Sequence, residues 1–333
     1  VIDANRYPLP EIDNLAKRIR RIGLGIMGWA DLLVRLGIPY NSEQGVELGR
    51  KLMQFVDEES KRASEKLAKQ RGVFAEWERS IWGPDGTCAR DAQGERIRPM
   101  RRLRNCNLTT VAPTGTISII AGCSSGIEPL FAVAFMRNQA GVQMPDVNED
   151  FVAIARREGW YSDELVQRIA AAGNIHFPEV PEKWQRVFVT AHDVTPEWHI
   201  RMQAAFQEYT DSAISKTCNF PREATEADVE QIYRFAFRQR CKGVTVYRDA
   251  SRENQVLSTG ATTKKAQEPD QGHGQRQLAE ALGRIAELEA ELERTRATLH
   301  NVEAENLQRR AKRSRPDLLS GTTRRIETPL GTM

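Results

Sequence analysis

Apolar residues recur at helical spacing between positions 11 and 70. Leu15, Ile19 and Ile22 make one stripe, and Leu32, Leu33 and Leu36 a second that Pro39 ends. A longer amphipathic run follows Ser42, a good N-cap, and closes at Gly72, predicting one long helix. Residues 80–104 lose the pattern in Gly, Pro, Asp and many Arg, and read as an irregular surface connection. Residues 108–111 and 117–120 are short β-type runs on either side of Pro-Thr-Gly-Thr. Helical patterning returns over 148–172 and 196–215. Thr225 and Glu226 open a further helix, and "KGVTVYR" behind it reads as a compact strand.

The pattern changes again near the end. Residues 258–275 hold Thr, Lys, Gln, Gly and Asp with almost nothing apolar, which predicts a linker. Within 276–312, Leu278, Ile285, Leu292 and Leu299 repeat every seven residues, with Ala281, Leu288, Thr295 and Val302 at the second core position. A modest coiled coil and one long helix packed on its own domain both fit. Arg309, Arg310, Lys312, Arg313 and Arg315 follow with no aromatic among them, so the expectation is a solvated face rather than a nucleic-acid patch.

Composition narrows the class. With 333 residues, 40 % of them apolar, the chain can build one large domain or two ordinary ones. A net charge of +3 gives no global attraction to nucleic acid. No apolar run reaches the ~18 residues of a membrane span, and no signal peptide opens the chain. The chain starts on Val1 in what reads as a helix and stops at "TPLGTM"; both ends read as cuts in a longer protein. Cys88, Cys106, Cys123, Cys218 and Cys241 show no C-x-x-C spacing, so reduced cytoplasmic thiols are expected and no metal site.

Gly23-x-Gly25-x-x-Gly28 has the spacing of a dinucleotide-binding turn. Such a turn needs a buried strand in front of it and an acidic residue about 20 positions on. "NLAKRIRR" is polar and helical, and Glu43 and Glu47 lie in the long helix. The glycines therefore read as structural, allowing close backbone approach.

The stretch carrying chemistry is "RNCNLTTVAPTGTISIIAGCSSGIEPLF". A Pro-Thr-Gly-Thr turn exposes successive N–H groups and two hydroxyls, which suits an anionic oxygen. An ordinary tight hairpin is the alternative. Ser124-Ser125-Gly126-Ile127-Glu128-Pro129 is a second small-residue loop with one carboxylate.

"APTGTIS" followed by "SSGIEP" resembles the substrate-phosphate region of the ribonucleotide reductase large chain. "VIDANRYPLPEI", "RRIGLGIMGWADLLVRLGIPYNSEQG", "FVTAHDVTPEWHIRMQAAFQEYTDSAISKTCNFP" and "CKGVTVYRDASRENQVL" resemble further segments in the family's order. The resemblance covers residues 1–257 and implies an α/β fold, the second half of a ten-stranded barrel with a radical-bearing cysteine loop inside. Residues 313–333 resemble the start of a C-terminal tail domain. Tyr247 is followed by Arg248 rather than a second tyrosine, which resembles the adenosylcobalamin-dependent class II enzymes more than class I, the alternative.

The resemblance implies conversion of ribonucleotides, as diphosphates or triphosphates, to deoxyribonucleotides by thiyl-radical chemistry. It carries over Pro113, Thr114, Gly115, Thr116 and Ile117 as the phosphate turn, with Ser118 beneath it. Ser124, Ser125, Gly126 and Glu128 support the neighbouring loop, Glu128 as a stabiliser rather than a base. The catalytic N-x-C-x-E pattern is not in this sequence and is expected upstream of Val1, so the chain alone is expected to be inactive. Shuttle cysteines are expected beyond Met333, and Cys123 and Cys241 are expected to pack near active-site loops. Expected partners are the ribonucleotide, a thioredoxin-type reductant, and either a second copy of the chain or a missing N-terminal half. A natural split subunit recruited through the heptads is a second reading. A non-catalytic nucleic-acid binder is a third.

Overall fold

The computed structural model of the protein describes residues 1–139, 142–249, 327–328 and 331–332. It divides into two units, Val1–Ala266 and Gln267–Met333. Of the second unit, Glu327–Thr328 and Gly331–Thr332 pair antiparallel. The expected linker, heptad helix and basic cluster lie outside the described residues.

The first unit opens with turns rather than a helix interior. Pro8 and Pro10 forbid a continuous helix there, and α1 (Pro10–Ile19) starts with proline in its first turn, where the missing N–H costs nothing. Ile22 lies beyond α1, in extended chain, contrary to its helical spacing. Next come α2 (Trp29–Leu36) and α3 (Glu43–Arg71). The Ser42 side chain accepts from Gly45 N at 3.0 Å, and Gly72 ends α3 as expected. One face of α3 buries Val46, Gly49, Met53, Asp57, Lys61, Ser64 and Ala68 in turn. Gly49 is required there: a Cβ would stand 2.6 Å from the Phe206 ring.

The second half holds α4 (Gly115–Ala121), a hairpin of β1 (Ala134–Gln139) and β2 (Val142–Val147), then α5 (Glu149–Glu158) and α6 (Asp163–Ala172). The helical patterning over 148–172 resolves into these two helices, parted where Gly159 turns left-handed. The sequence pattern does not signal the hairpin, because Pro145 in β2 lacks a ladder donor. After α7 (Glu182–Val187), α8 (Pro196–Gln207) stops eight residues before Ser215, short of its expected span. β3 (Thr217–Phe220), α9 (Glu226–Arg238) and β4 (Thr245–Arg248) complete the unit.

Parallel pairing organises the unit. Leu24 pairs with Thr109, Val111 with Ile214, Leu130 with Thr190, and β3 with β4 from Thr217–Thr245 to Phe220–Arg248. Helices make the crossovers: α2 and α3 between 24 and 109, α9 between β3 and β4, the arrangement parallel strands demand. The central core joins Trp29, Leu33, Met53, Val111, Ile127 and Phe206, with Trp29 edge-on to Phe206 at 5.1 Å. A second core gathers α5, α6 and α7 around Phe151 and Phe188.

Candidate active site

Residues 108–111 belong to the parallel frame, as their β-type pattern predicts. Residues 117–120 do not: they lie within α4. The reason is Thr114, whose φ of 51° and ψ of 19° turn the chain left-handed and start a helix. The hairpin alternative falls with that strand. A β-branched residue in this region carries strain of about 1–3 kcal/mol, which its surroundings must offset.

Those surroundings are the second loop. Gly126 N donates to Thr114 Oγ1 at 2.7 Å, and Ser118 N donates to Thr114 O at 2.9 Å. Ser118 is buried, its hydroxyl 2.8 Å from Ser125 Oγ and 3.2 Å from Gly115 O. Gly126 has φ 47°, and a Cβ on it would press the Ala112 carbonyl at 3.1 Å.

Pro113, Gly115, Thr116 and Ile117 are exposed above this support. A helix leaves its first-turn amides without intrahelical acceptors, so those of Gly115, Thr116 and Ile117 are free of helix bonding. Amides exposed in this way can serve as a cradle for an anionic oxygen.

The glycines at 23, 25 and 28 serve this site structurally. A Cβ on Gly25 would lie 2.3 Å from the Thr110 carbonyl, and one on Gly23 2.6 Å from the Thr110 methyl. The segment itself pairs in parallel with 107–110: Leu24 N donates to Leu108 O at 2.7 Å, and Thr110 N to Leu24 O at 2.9 Å. Gly28 N then donates to Ser124 O at 2.8 Å, and Ser124 N donates to Asp31 Oδ2 at 2.6 Å. The second loop is thereby seated on the start of α2.

Glu128 faces inward. Its Oε1 accepts from Thr217 N at 2.6 Å and its Oε2 from Lys216 Nζ at 2.7 Å. The Lys216 side chain is wholly buried, with Nζ also 2.8 Å from Thr217 O and 2.9 Å from His199 Nδ1. Burial first, and the Lys216 charge second, push the His199 pKa down to about 2. The imidazole is therefore neutral: Nδ1 accepts from the ammonium and Nε2 donates to Ala191 O at 3.3 Å. Tyr40 OH donates to Ile127 O at 2.7 Å, and burial raises that phenol well above its usual range. Lys216, His199 and Tyr40 are not legible as site residues. The one signal is a lone lysine beside Ile214 and Cys218 in an otherwise small, uncharged stretch.

Cys106, Cys218 and Cys241 are poorly suited to nucleophilic work. Burial raises Cys218 to about 12 and Cys241 to about 11, and raises Cys106 as well. Cys241 packs with the α9 core, while Cys123 lies beside Gly28. Two cavities, of about 560 and 440 Å³, are lined by Lys51, Phe55, Asp57, Glu58, Arg62 and Tyr209, among others, and by Ala224, Thr225, Glu226, Val229 and Arg248. Neither includes a residue of the turn.

The family model of the ribonucleotide reductase barrel domain matches residues 1–247. The chain belongs to that family. It is 46 % identical over 272 residues to the vitamin B12-dependent ribonucleoside-diphosphate reductase of Thermoplasma acidophilum, covering 81 % of this chain and 34 % of that one. The enzyme of the same description from Mycobacterium tuberculosis strain CDC 1551 is 45 % identical over 262 residues, 78 % of this chain and 36 % of that one. This barrel-domain chain thus spans about a third of the length of these curated relatives. Among solved structures, the class Id ribonucleotide reductase alpha subunit of Actinobacillus ureae aligns with a TM-score of 0.60 over 79 % of this chain and 44 % of that one. At 21 % identity, that match establishes the fold.

Proposed function

We propose that this chain is the substrate-phosphate-holding part of a ribonucleotide reductase that makes 2′-deoxyribonucleotides by thiyl-radical chemistry with adenosylcobalamin. The left-handed Thr114 carries the reading: it opens α4 toward solvent with three amides free of helix bonding, on a turn braced from below. The relatives' names support the substrate class and the cofactor, and the parallel pairings support the second half of a ten-stranded α/β barrel.

In this reading the amides of Gly115, Thr116 and Ile117 bind the phosphate oxygens and fix where the ribose points. Misplacing a reacting group by about 1 Å can cost about 100-fold in rate, so a strained but braced turn suits the task. Glu128 acts through structure, since both its oxygens already accept hydrogen bonds. Adenosylcobalamin, when bound, supplies the radical chemistry. The two cavities share no residue with the turn and are lined largely by charged and polar side chains, so no residue here is assigned to holding that group.

The test is calorimetric titration of the chain with a ribonucleoside diphosphate and with pyrophosphate. Thr116→Asp places a carboxylate on the cradle, favourable for a helix start yet repulsive to phosphate. The affinity of both ligands should fall by at least about tenfold while the protein stays folded. Unchanged affinity overturns the proposal.

A further inference from the structure

Lys216 is a wholly buried lysine outside the phosphate turn, and such a group persists only when paired and fully hydrogen-bonded. Its three ammonium protons meet three acceptors: Glu128 Oε2 from the second loop, His199 Nδ1 from α8, and its neighbour Thr217 O at the start of β3. Glu128 uses its other oxygen on Thr217 N, so the loop is tied to β3 twice. The same loop, two and three residues earlier, presents Gly126 N to Thr114 Oγ1 and Ser125 Oγ to Ser118 Oγ.

We propose that Lys216 is a positioning residue for phosphate binding, with Glu128 as its lever: the buried ion pair fixes residues 124–129, and these hold the Thr114 turn in register. The inference rests on the phosphate-holding reading above. Lys216 reaches no ligand itself; it sets the backbone of the loop that braces the cradle. The pair joins segments far apart in sequence, 128 and 216, so one contact aligns the loop, α8 and β3 together.

Removing only one partner strands a charge in the interior and risks unfolding, so the informative variant is the double Lys216→Met/Glu128→Gln, which leaves no buried charge. It should melt as a folded protein and bind pyrophosphate about tenfold more weakly than wild type, the worth of one charge-assisted hydrogen bond. In glycine-labelled protein, the amide signals of Gly115 and Gly126 should shift without ligand. Those of Gly159 and Gly173, which end α5 and α6, should stay in place. A general loss of packing would move all four.

Wild-type pyrophosphate affinity in a double variant with unmoved Gly126 overturns the inference. If Thr116→Asp weakens binding and the double variant does not, this inference alone fails. If wild type binds no pyrophosphate, the phosphate reading fails and this one falls with it. Should that double variant not fold, Lys216→Gln/Glu128→Gln, which also leaves no buried charge, decides: a shifted Gly126 signal with weaker binding supports the inference, and unchanged values of both overturn it.

Discussion

Residues 124–129 touch two polar clusters that treat their hydrogen-bonding groups in opposite ways. Around Lys216, each ammonium proton, both Glu128 oxygens and both His199 nitrogens have partners within the protein. At Thr114, a backbone held in an unfavourable conformation leads into exposed residues 115–117, whose amides have no acceptor within the helix. The contrast is one of hydrogen-bonding saturation. A saturated, buried cluster has nothing left to offer a ligand and specifies geometry; an open, braced one has donors to spare.

The sharpest way to break that comparison is to unpair the saturated side. Lys216→Met alone leaves Glu128 without its buried counter-charge and should cost about 3–5 kcal/mol in denaturant unfolding. A loss under about 1 kcal/mol would mean that the cluster does not hold the fold. For each pH unit, a smaller effect is expected from acid. His199, facing Lys216 and close to His192, stays neutral in the native protein down to about pH 2, whereas unfolded it takes a proton below about 6.5. The unfolded state then binds the extra proton, so stability falls as pH drops below 6.5, at up to about 1.4 kcal/mol per pH unit from this group. His199→Gln, which keeps an acceptor for the ammonium, should flatten that part of the acid limb. Parallel acid limbs for wild type and variant would remove His199 from the account.

The smallest effect sharpens the comparison by distance. Thr225 and Asp228 form a complete capping box on α9, saturated like the Lys216 cluster but contributing nothing to the second loop. Thr225→Ala should lower stability by about 1 kcal/mol and leave pyrophosphate affinity at its wild-type value. A coupled loss of affinity would show that stability alone governs the turn.

Much of this was legible before any coordinates. Ser42 and Gly72 bracket α3, and the failed context of Gly23, Gly25 and Gly28 already marks them as packing residues. The residue types at 113–116 raise anion binding as an expectation, which the proposed function takes up. Residues 117–120 mislead because Ile-Ser-Ile-Ile has β propensity; the left-handed Thr114 before it and Gly122 after it override that preference with one short helix. Lys216, His199 and Glu128 have no shared local pattern. Their relation exists only after α8 and β3 have packed, and no spacing rule reaches across that separation.

The parallel pairings carry a consequence for the life of the chain on the ribosome. Leu24 waits for Thr109, and Val111 waits for Ile214, before either strand has its neighbour. Contacts so distant in sequence close slowly, and until they close the apolar strands are open to wrong partners. Thr114 emerges before its brace, which is anchored by Lys216 and cannot be secured until residues beyond α8 have been made. The turn therefore matures only after β3 has joined, and a chain stalled before residue 216 would display it without the register its neighbours impose.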